Sequence, residues 1–428
     1  MGEAIRGRDG GLRRVVVTGI GLVCPLGIGR DAAWAAALEG RSAAAPITLF
    51  DPEEAGVVTR FACEVPGFDP ADYLDKRTAR RMDRFAQLAV AAARLAVDDA
   101  GVDVSAEPDR VGAIIASGIG GVAGFYEQSV VLYARGADRV SPLFVPTMIA
   151  NMGAAWASMT LGFTGPLSCT VTACASGNHA LGDAADMIRL GRAEVMLAGG
   201  AEAAVTPLSI AGFNSMKALS TRNDDPARAS RPFDAGRDGF VMGEAGAVLV
   251  LEELGHALAR GADIVCELAG YGLSGDAHHI TEPDPTGRGP ARAMVMALED
   301  AGLSREDVDY VNVHGTSTPV GDIAEVRVLQ QALGAEQAAR TMVSSTKSMH
   351  GHCLGAAGGV EAALTALAVR EGVVPPTINL DDLDPECAGV DHVAGSARRA
   401  DVRVALSNGF GFGGHNATVA LSRLEDAA

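Results

Sequence analysis

The sequence predicts an α/β fold made of two similar halves, and three observations lead there. At 428 residues the chain exceeds the roughly 250–300 at which a single hydrophobic core stops growing. Short β-branched runs alternate with helical patterns, as they do where buried strands are covered by helices. The strand candidates also fall into two series. The first comprises VVVTGI (15–20), VGAIIASG (111–118), SCTVTAC (168–174), EVMLAGG (194–200) and GAVLVLEE (246–253). The second comprises IVCELAGYG (264–272), VDYVNVHG (308–315), TMVSSTK (341–347), VRVALSN (402–408) and NATVALSR (416–423). No strong letter repeat links them, yet in both series strands run into Gly-rich or Ser/Thr-rich turns followed by helices. A boundary near 254–264 gives a mobile tail over 1–12, an N-terminal half over 13–255 and a C-terminal half over 256–428.

Between the first two strands, DKRTARRMDRFAQLAVAAARLAV (75–97) runs at helical period, with Leu88, Ala92 and Leu95 as its apolar stripe. Its start carries Lys76, Arg77, Arg80, Arg81 and Arg84, a local exception to a formal net charge of -18. That global charge argues against a nucleic-acid or anionic-membrane partner. The basic helix face reads either as solvated surface or as a docking patch for a small acidic partner. No apolar run reaches the ~18 residues of a membrane span, and MGEAIRGRDGGLRR has no apolar signal-peptide core. Seven cysteines without a small-domain spacing are expected as free thiols in the cytoplasm.

Reactive side chains gather at strand ends. In TVTACASGNH (170–179), Cys174 stands between a β-branched run and the start of a helix. Backbone N–H groups and the helix dipole at such a place favour thiolate; a thiol pKa of ~8.5 can fall there to roughly 3.5–7.5. Burial as a small hydrophobe is the alternative. VNVHGTSTPVGD places His314, Thr316, Thr318 and Asp322 after a strand, and SSTKSMHGHCLGAAGG places Lys347, His350 and His352 on a strand-to-helix turn. SNGFGFGGHN reads as a glycine-rich loop able to present an N–H to an oxyanion or to act as a hinge. Zinc on His350, His352 and Cys353 is disfavoured, because neighbours on one tight turn rarely supply a tetrahedral shell.

Taken together, TACASG, HGTSTPVGD, TKSMHGH with its downstream GAAGG, and NGFGFGGHN resemble the β-ketoacyl-acyl-carrier-protein synthase II family of thiolase-like condensing enzymes, over roughly residues 13–424. The resemblance implies a five-layered αβαβα fold of two pseudo-symmetric halves, a dimer, and a decarboxylating Claisen condensation with malonyl-carrier that needs neither metal nor organic cofactor. It implies Cys174 as acyl acceptor, the N–H groups of Cys174 and Phe412 as oxyanion donors, and His314 and His352 as enolate donors. Lys347 matches a lysine that sets the site's electrostatics, and Glu361 the acidic residue supporting it. Thr316 and Thr318, and more weakly Thr281, match positions on the carrier's phosphopantetheine arm; Asp322 looks structural. Ile119 matches a position that limits the acyl tail, and Phe412 a gate. Arg80, Arg81, Arg139 and Lys217 match the surface that meets the acidic acyl carrier protein. Three positions depart from the family: Gly409 where Ser is common, and His350 and Cys353 where Thr and Leu are common. These departures keep open a type II polyketide or polyene ketosynthase paired with a chain-length-factor subunit. A noncatalytic partner subunit is disfavoured because the cysteine is present.

Overall fold

The computed structural model describes residues 13–424; the expected tail over 1–12 lies outside them. Strands β1 (Val15–Cys24), β2 (Val111–Ala116), β3 (Leu167–Ser168), β4 (Val195–Glu202) and β5 (Ala245–Glu253) form one sheet in the order β3-β2-β4-β5-β1. Strands β6 (Cys266–Gly275), β7 (Tyr310–Asn312), β8 (Met342–Ser344), β9 (Val404–Gly411) and β10 (His415–Ser422) form the other in the order β8-β7-β9-β10-β6. The directions match as well as the order. β2 is parallel to β3 and β4, as β7 is to β8 and β9, while the remaining pairs among these ten strands are antiparallel. Among the described residues the sheets join where Val16 and Val17 pair with Glu267 and Cys266.

Helix α1 (Arg84–Ala100) covers the outer face of the first sheet, and α2 (Ser176–Arg189) lies between the sheets. Helix α3 (Arg288–Ala301) covers the second sheet from outside, and α4 (Ala357–Glu371) joins α2 in the middle. This is the five-layered αβαβα, thiolase-like architecture that the family resemblance implies. The central helices touch backbone to backbone, since a Cβ on Gly177 would stand 2.7 Å from the Gly359 nitrogen. The outer helices press on their strands in matching ways. A Cβ on Gly19 or Gly21 would stand 2.3 Å from Ala96 O or 1.9 Å from Ala92 O; on Gly270 or Gly272 it would stand 2.1 Å from Ala297 O or 1.9 Å from Ala293 O. Only glycine leaves room for helices that close.

Two expected elements are corrected. SCTVTAC forms a strand only at its very start: β3 pairs with β2 at two positions, and the chain then leaves the sheet for a 3-10 turn over Ala173–Ala175. The basic helix is broken in two. Lys76–Ala79 is capped by Asp75, and α1 begins only after Asp83, whose carboxylate accepts from Phe85 N–H and Gly124 N–H. Buried Asp83 thus fixes a new helix start where sequence periodicity runs on. Arg84 leaves the basic patch for a bidentate pair with buried Glu244 at 2.6 and 2.7 Å.

Candidate active site

Cys174 lies at the mouth of α2. Ala173 holds φ at +50°, a conformation costly for a residue with a Cβ. The turn is tied by Thr172 N–H donating to Ser176 Oγ (2.8 Å) and Ser176 Oγ–H donating to Ala173 O (2.7 Å). The tip of β9 packs on this turn, where a Cβ on Gly411 would stand 2.5 Å from Thr172 O and 3.1 Å from Cys174 N. Glycine therefore lets the hairpin tip approach closely, and the Phe412 N–H favours negative charge on the cysteine sulfur. The expected loop is in fact the end of a β-hairpin, with Gly409 and Gly411 paired in the sheet to Ala417 and His415. The expectation of a lowered thiol pKa is corrected too. Burial pushes Cys174 up to about 12, against the pull of Lys347 and the Phe412 N–H. Lys347 and the Phe412 N–H are the groups that favour negative charge on this sulfur.

His314 follows β7, in a segment fixed by buried Glu325, which accepts the N–H groups of His314 (2.7 Å) and Gly315 (2.6 Å). His352 is pinned through its own N–H to Val241 O (2.7 Å), with its ring edge-on to Phe240 and His314 at 5.3 Å. Cys174 Sγ and one ring nitrogen each of His314 and His352 lie within 4.8 Å of one another. Burial, then the charge of Lys347, keeps both imidazoles neutral by pushing their pKa values well below the usual histidine range. Lys347 and Glu361 form an ion pair in the core, both essentially without solvent exposure. Burial raises Glu361 to about 7 in spite of that pair. Lys347 Nζ stands 3.5 Å from His314 Nδ1; Lys has only donors, so Nδ1 accepts and Nε2 carries the ring proton. A thiol and two imidazoles are a donor set that a zinc-like cation accepts, yet this tautomer aims a proton rather than a lone pair. Behind His352, buried Nδ1 has no acceptor, whereas metal-bound histidines nearly always donate there. The arrangement suits N–H donation to an oxygen.

Residues 12–257 match the family described as "Beta-ketoacyl synthase, N-terminal domain" and residues 265–381 its C-terminal domain. The chain belongs to the β-ketoacyl synthase family. It is 50% identical to the 3-oxoacyl-[acyl-carrier-protein] synthase 2 of Synechocystis over 96% of this chain and 99% of that one, and 49% identical to that of Vibrio harveyi over 97% and 99%. Among solved structures, the ishigamide ketosynthase/chain length factor aligns with TM-score 0.90 at 36% identity, covering 97% of this chain and 100% of the other. A β-ketoacyl synthase from Burkholderia phymatum aligns with TM-score 0.89 at 39% identity over 97% and 100%.

The other positions matched to the β-ketoacyl synthase family sort by place. Thr316 and Thr318 hydrogen-bond each other at 3.0 Å beside the His314 segment. Asp322 is wholly buried and accepts from Phe233 N–H (2.8 Å) and Ser317 N–H (3.1 Å), a structural anchor. Thr281 sits in the segment after β6, whose Ile280 carbonyl accepts Gly413 N–H from the hairpin (2.9 Å). Ile119 and Phe412 are the exposed side chains on their turns, at 44% and 37%. Arg80, Arg81, Arg139 and Lys217 are exposed. His350 and Cys353 turn into the core instead: His350 Nε2 meets Thr346 Oγ1 at 3.0 Å and its Nδ1 lies 4.0 Å from Cys353 Sγ, both residues having no exposure. Three buried groups beside the site escaped the sequence reading: Glu325; Glu202, which caps the turn bearing Ile119; and Asn178, one turn into α2. For Glu202 a signal existed, an acidic residue ending the apolar run VMLAGGAE.

Proposed function

We propose that the chain catalyses decarboxylative condensation of an acyl group held on Cys174 with malonyl-acyl-carrier protein, extending a fatty-acid-type chain as a β-ketoacyl thioester. The observation that carries this is the convergence of Cys174 Sγ with His314 and His352 within 4.8 Å, beneath the Phe412 N–H. The Cys174 sulfur attacks the acyl carbonyl, the carbon–sulfur bond to the carrier breaks, and the thiol proton leaves with the carrier's phosphopantetheine thiol. The N–H groups of Cys174 and Phe412 hold the oxyanion. Malonyl-carrier then loses carbon dioxide, its electron pair passing into an enolate whose oxygen takes the N–H of His314 and His352. The enolate carbon attacks the acyl carbonyl, and sulfur leaves as thiolate and regains a proton. Lys347 and Glu361 set the tautomer and charge behind His314 without touching substrate. No separate cofactor enters, since the carrier's arm supplies the thioester.

Elongation is favoured over a polyketide role because relatives named as 3-oxoacyl-[acyl-carrier-protein] synthase 2 reach 50% identity, against 36% for the ketosynthase/chain length factor structure. The nucleophile half runs over 13–255 and the histidine half over 256–428. Thr316, Thr318 and Thr281 line the path of the pantetheine arm, Ile119 and Phe412 bound the acyl group, and Arg80, Arg81, Arg139 and Lys217 receive the acidic carrier. The partner is a second copy of the chain: the exposed edge strand Leu167–Ser168, with exposed Met159 and Val171 nearby, offers an apolar edge for a matching strand. Seven free thiols suit a reducing cytoplasm. Incubation with malonyl-carrier and a panel of acyl-carriers, read by intact mass, should give β-ketoacyl-carrier two carbons longer and an acyl adduct on Cys174. Neither product forming would overturn the reading.

A further inference from the structure

Glu202 has no part in the steps above, yet its carboxylate is wholly buried beside them. The pseudo-symmetry tells what it is doing. Strands β4 and β9 are both eight residues long and occupy the same place in their sheets, so Glu202 at the end of one corresponds to Gly411 at the end of the other. Each strand packs near its end on the turn that opens the opposite half's central helix: β9 on Ala173–Ala175, β4 on Leu354–Ala356. Those turns share their backbone, with φ at +50° in Ala173 and +48° in Leu354. Gly355 is therefore the counterpart of Cys174. Where the Cys174 N–H faces the reacting carbonyl, the Gly355 N–H donates to Glu202 Oε2 at 3.1 Å. A fixed internal carboxyl group, raised by burial to about 7, occupies the mirror image of the oxyanion position.

The same carboxylate takes three more donors, all from one turn: Ser117 Oγ–H (2.8 Å), Gly118 N–H (2.7 Å) and Ile119 N–H (3.3 Å). The turn is gripped from its other side as well, since a Cβ on Gly120 would stand 2.7 Å from Met148 O and one on Gly121 2.2 Å from Thr147 O. Four donors on two oxygens are what a carboxylate accepts and what an amide does not, because Gln would set an NH2 against backbone N–H groups. We infer that Glu202 is a positioning residue for acyl-chain selectivity, locking the Ser117–Ile119 turn to the turn opposite the nucleophile and so fixing where the Ile119 side chain stands. This rests on the reading of Ile119 as a bound on the acyl tail.

The experiment compares wild type, Glu202→Gln, Ile119→Ala and the double variant, with kcat and KM measured on short and long acyl-carriers. Malonyl decarboxylation is followed separately. Glu202→Gln should change the long-to-short ratio of kcat/KM by about tenfold, the scale of one or two lost hydrogen bonds to a charged group. Decarboxylation should hold within about twofold, because the histidines stay in place. In the Ile119→Ala background the added Glu202→Gln change should leave the ratio where Ile119→Ala alone puts it. An equal loss at all chain lengths, or a further shift in that background, would overturn the inference. If Glu202→Gln fails to fold, Ser117→Ala removes one donor and keeps the carboxylate; it should shift the ratio in the same direction by a smaller factor, and an unmoved ratio would be decisive against the idea. A wild type that condenses no acyl-carrier would instead refute the functional reading itself.

Discussion

In the N-terminal half the Ile20 N–H donates to Asp99 Oδ2 at 2.9 Å; in the C-terminal half the Tyr271 N–H donates to Asp300 Oδ2, again at 2.9 Å. Both carboxylates also take an arginine, Arg30 on Asp99 and Arg189 on Asp300. The paired glycines of β1 and β6 and the left-handed residues that open α2 and α4 repeat in the same way. The groups that hold charge at the centre do not. One central turn presents a thiol, the other a glycine whose N–H is taken up by a carboxylate. Lys347, His314 and His352 all come from the C-terminal half, and Cys174 from the N-terminal half. The frame is duplicated because close backbone approach admits few solutions; the chemistry is divided because a thioester needs a nucleophile on one side and N–H donors on the other.

The sharpest way to test this comparison is to change the two corresponding residues. Cys174→Ala should lower condensation by at least about 10³-fold while leaving the unfolding midpoint nearly unmoved. Gly355→Ala should act on stability instead, for its methyl would stand 2.1 Å from the Gly118 nitrogen. A loss of about 3 kcal/mol or more in a denaturant melt is expected from such overpacking. Acyl adduct formation on another cysteine in Cys174→Ala would break the assignment.

Next in size come the histidines. His314→Ala and His352→Ala should each slow malonyl decarboxylation by about 10²–10³-fold, the usual cost of an oxyanion donor, and still let Cys174 accept an acyl group. Intact mass and carbon dioxide release read the two steps separately; equal loss in both would indicate collapse of the site. His350 belongs to the frame and calls for a different readout. Burial lowers it to about 3 from an ordinary 6.5, so below pH 6.5 the unfolded chain takes up a proton that the native one refuses, and stability falls as pH drops towards 3. At pH 5 this amounts to about 2 kcal/mol. His350→Thr should flatten the stability difference between pH 7.5 and pH 5 by about that much, whatever it costs in packing at pH 7.5. An unchanged slope would mean that His350 is protonated in the native state.

Much of this was legible in the residues. Nine of the ten strand candidates overlap strands, seven of them over most of their length, because buried β-branched runs have few other homes, and the motif residues Cys174, His314, Lys347 and His352 do meet. Where the reading fell short, long-range partners decide. Nothing local in SCTVTAC says that β2 offers β3 only two pairing positions. Nothing in the basic helix says that Asp83 will cap a new start or that Glu244 will claim Arg84. The burial that raises the Cys174 thiol comes from layers far away in sequence. The internal repeat, by contrast, was written in the letters. TGIGL (18–22) and AVDDAG (96–101) align with AGYGL (269–273) and ALEDAG (297–302), the glycines and aspartates of the shared frame.

The smallest expected effect concerns Gly409, the departure nearest the gate. Asn178 Nδ2–H donates to Ser407 O at 2.7 Å, but its Oδ1 is buried without a donor. A Cβ on Gly409 would stand 3.1 Å from that oxygen and 3.3 Å from Ala175 Cα, close but short of a hard clash. Gly409 does not need positive φ, so a serine there costs no backbone strain, and its hydroxyl meets an acceptor that otherwise has none. Gly409→Ser should therefore stabilise the protein by about 1 kcal/mol, the net worth of one hydrogen bond, through both the new bond and a stiffer unfolded chain. Since β9 carries Phe412 to Cys174, acylation should become less temperature-dependent. A melt that moves downward would show that the 3.1 Å contact is repulsive, and that the glycine is kept at this place in the C-terminal half for room, as Gly411 is kept two residues on.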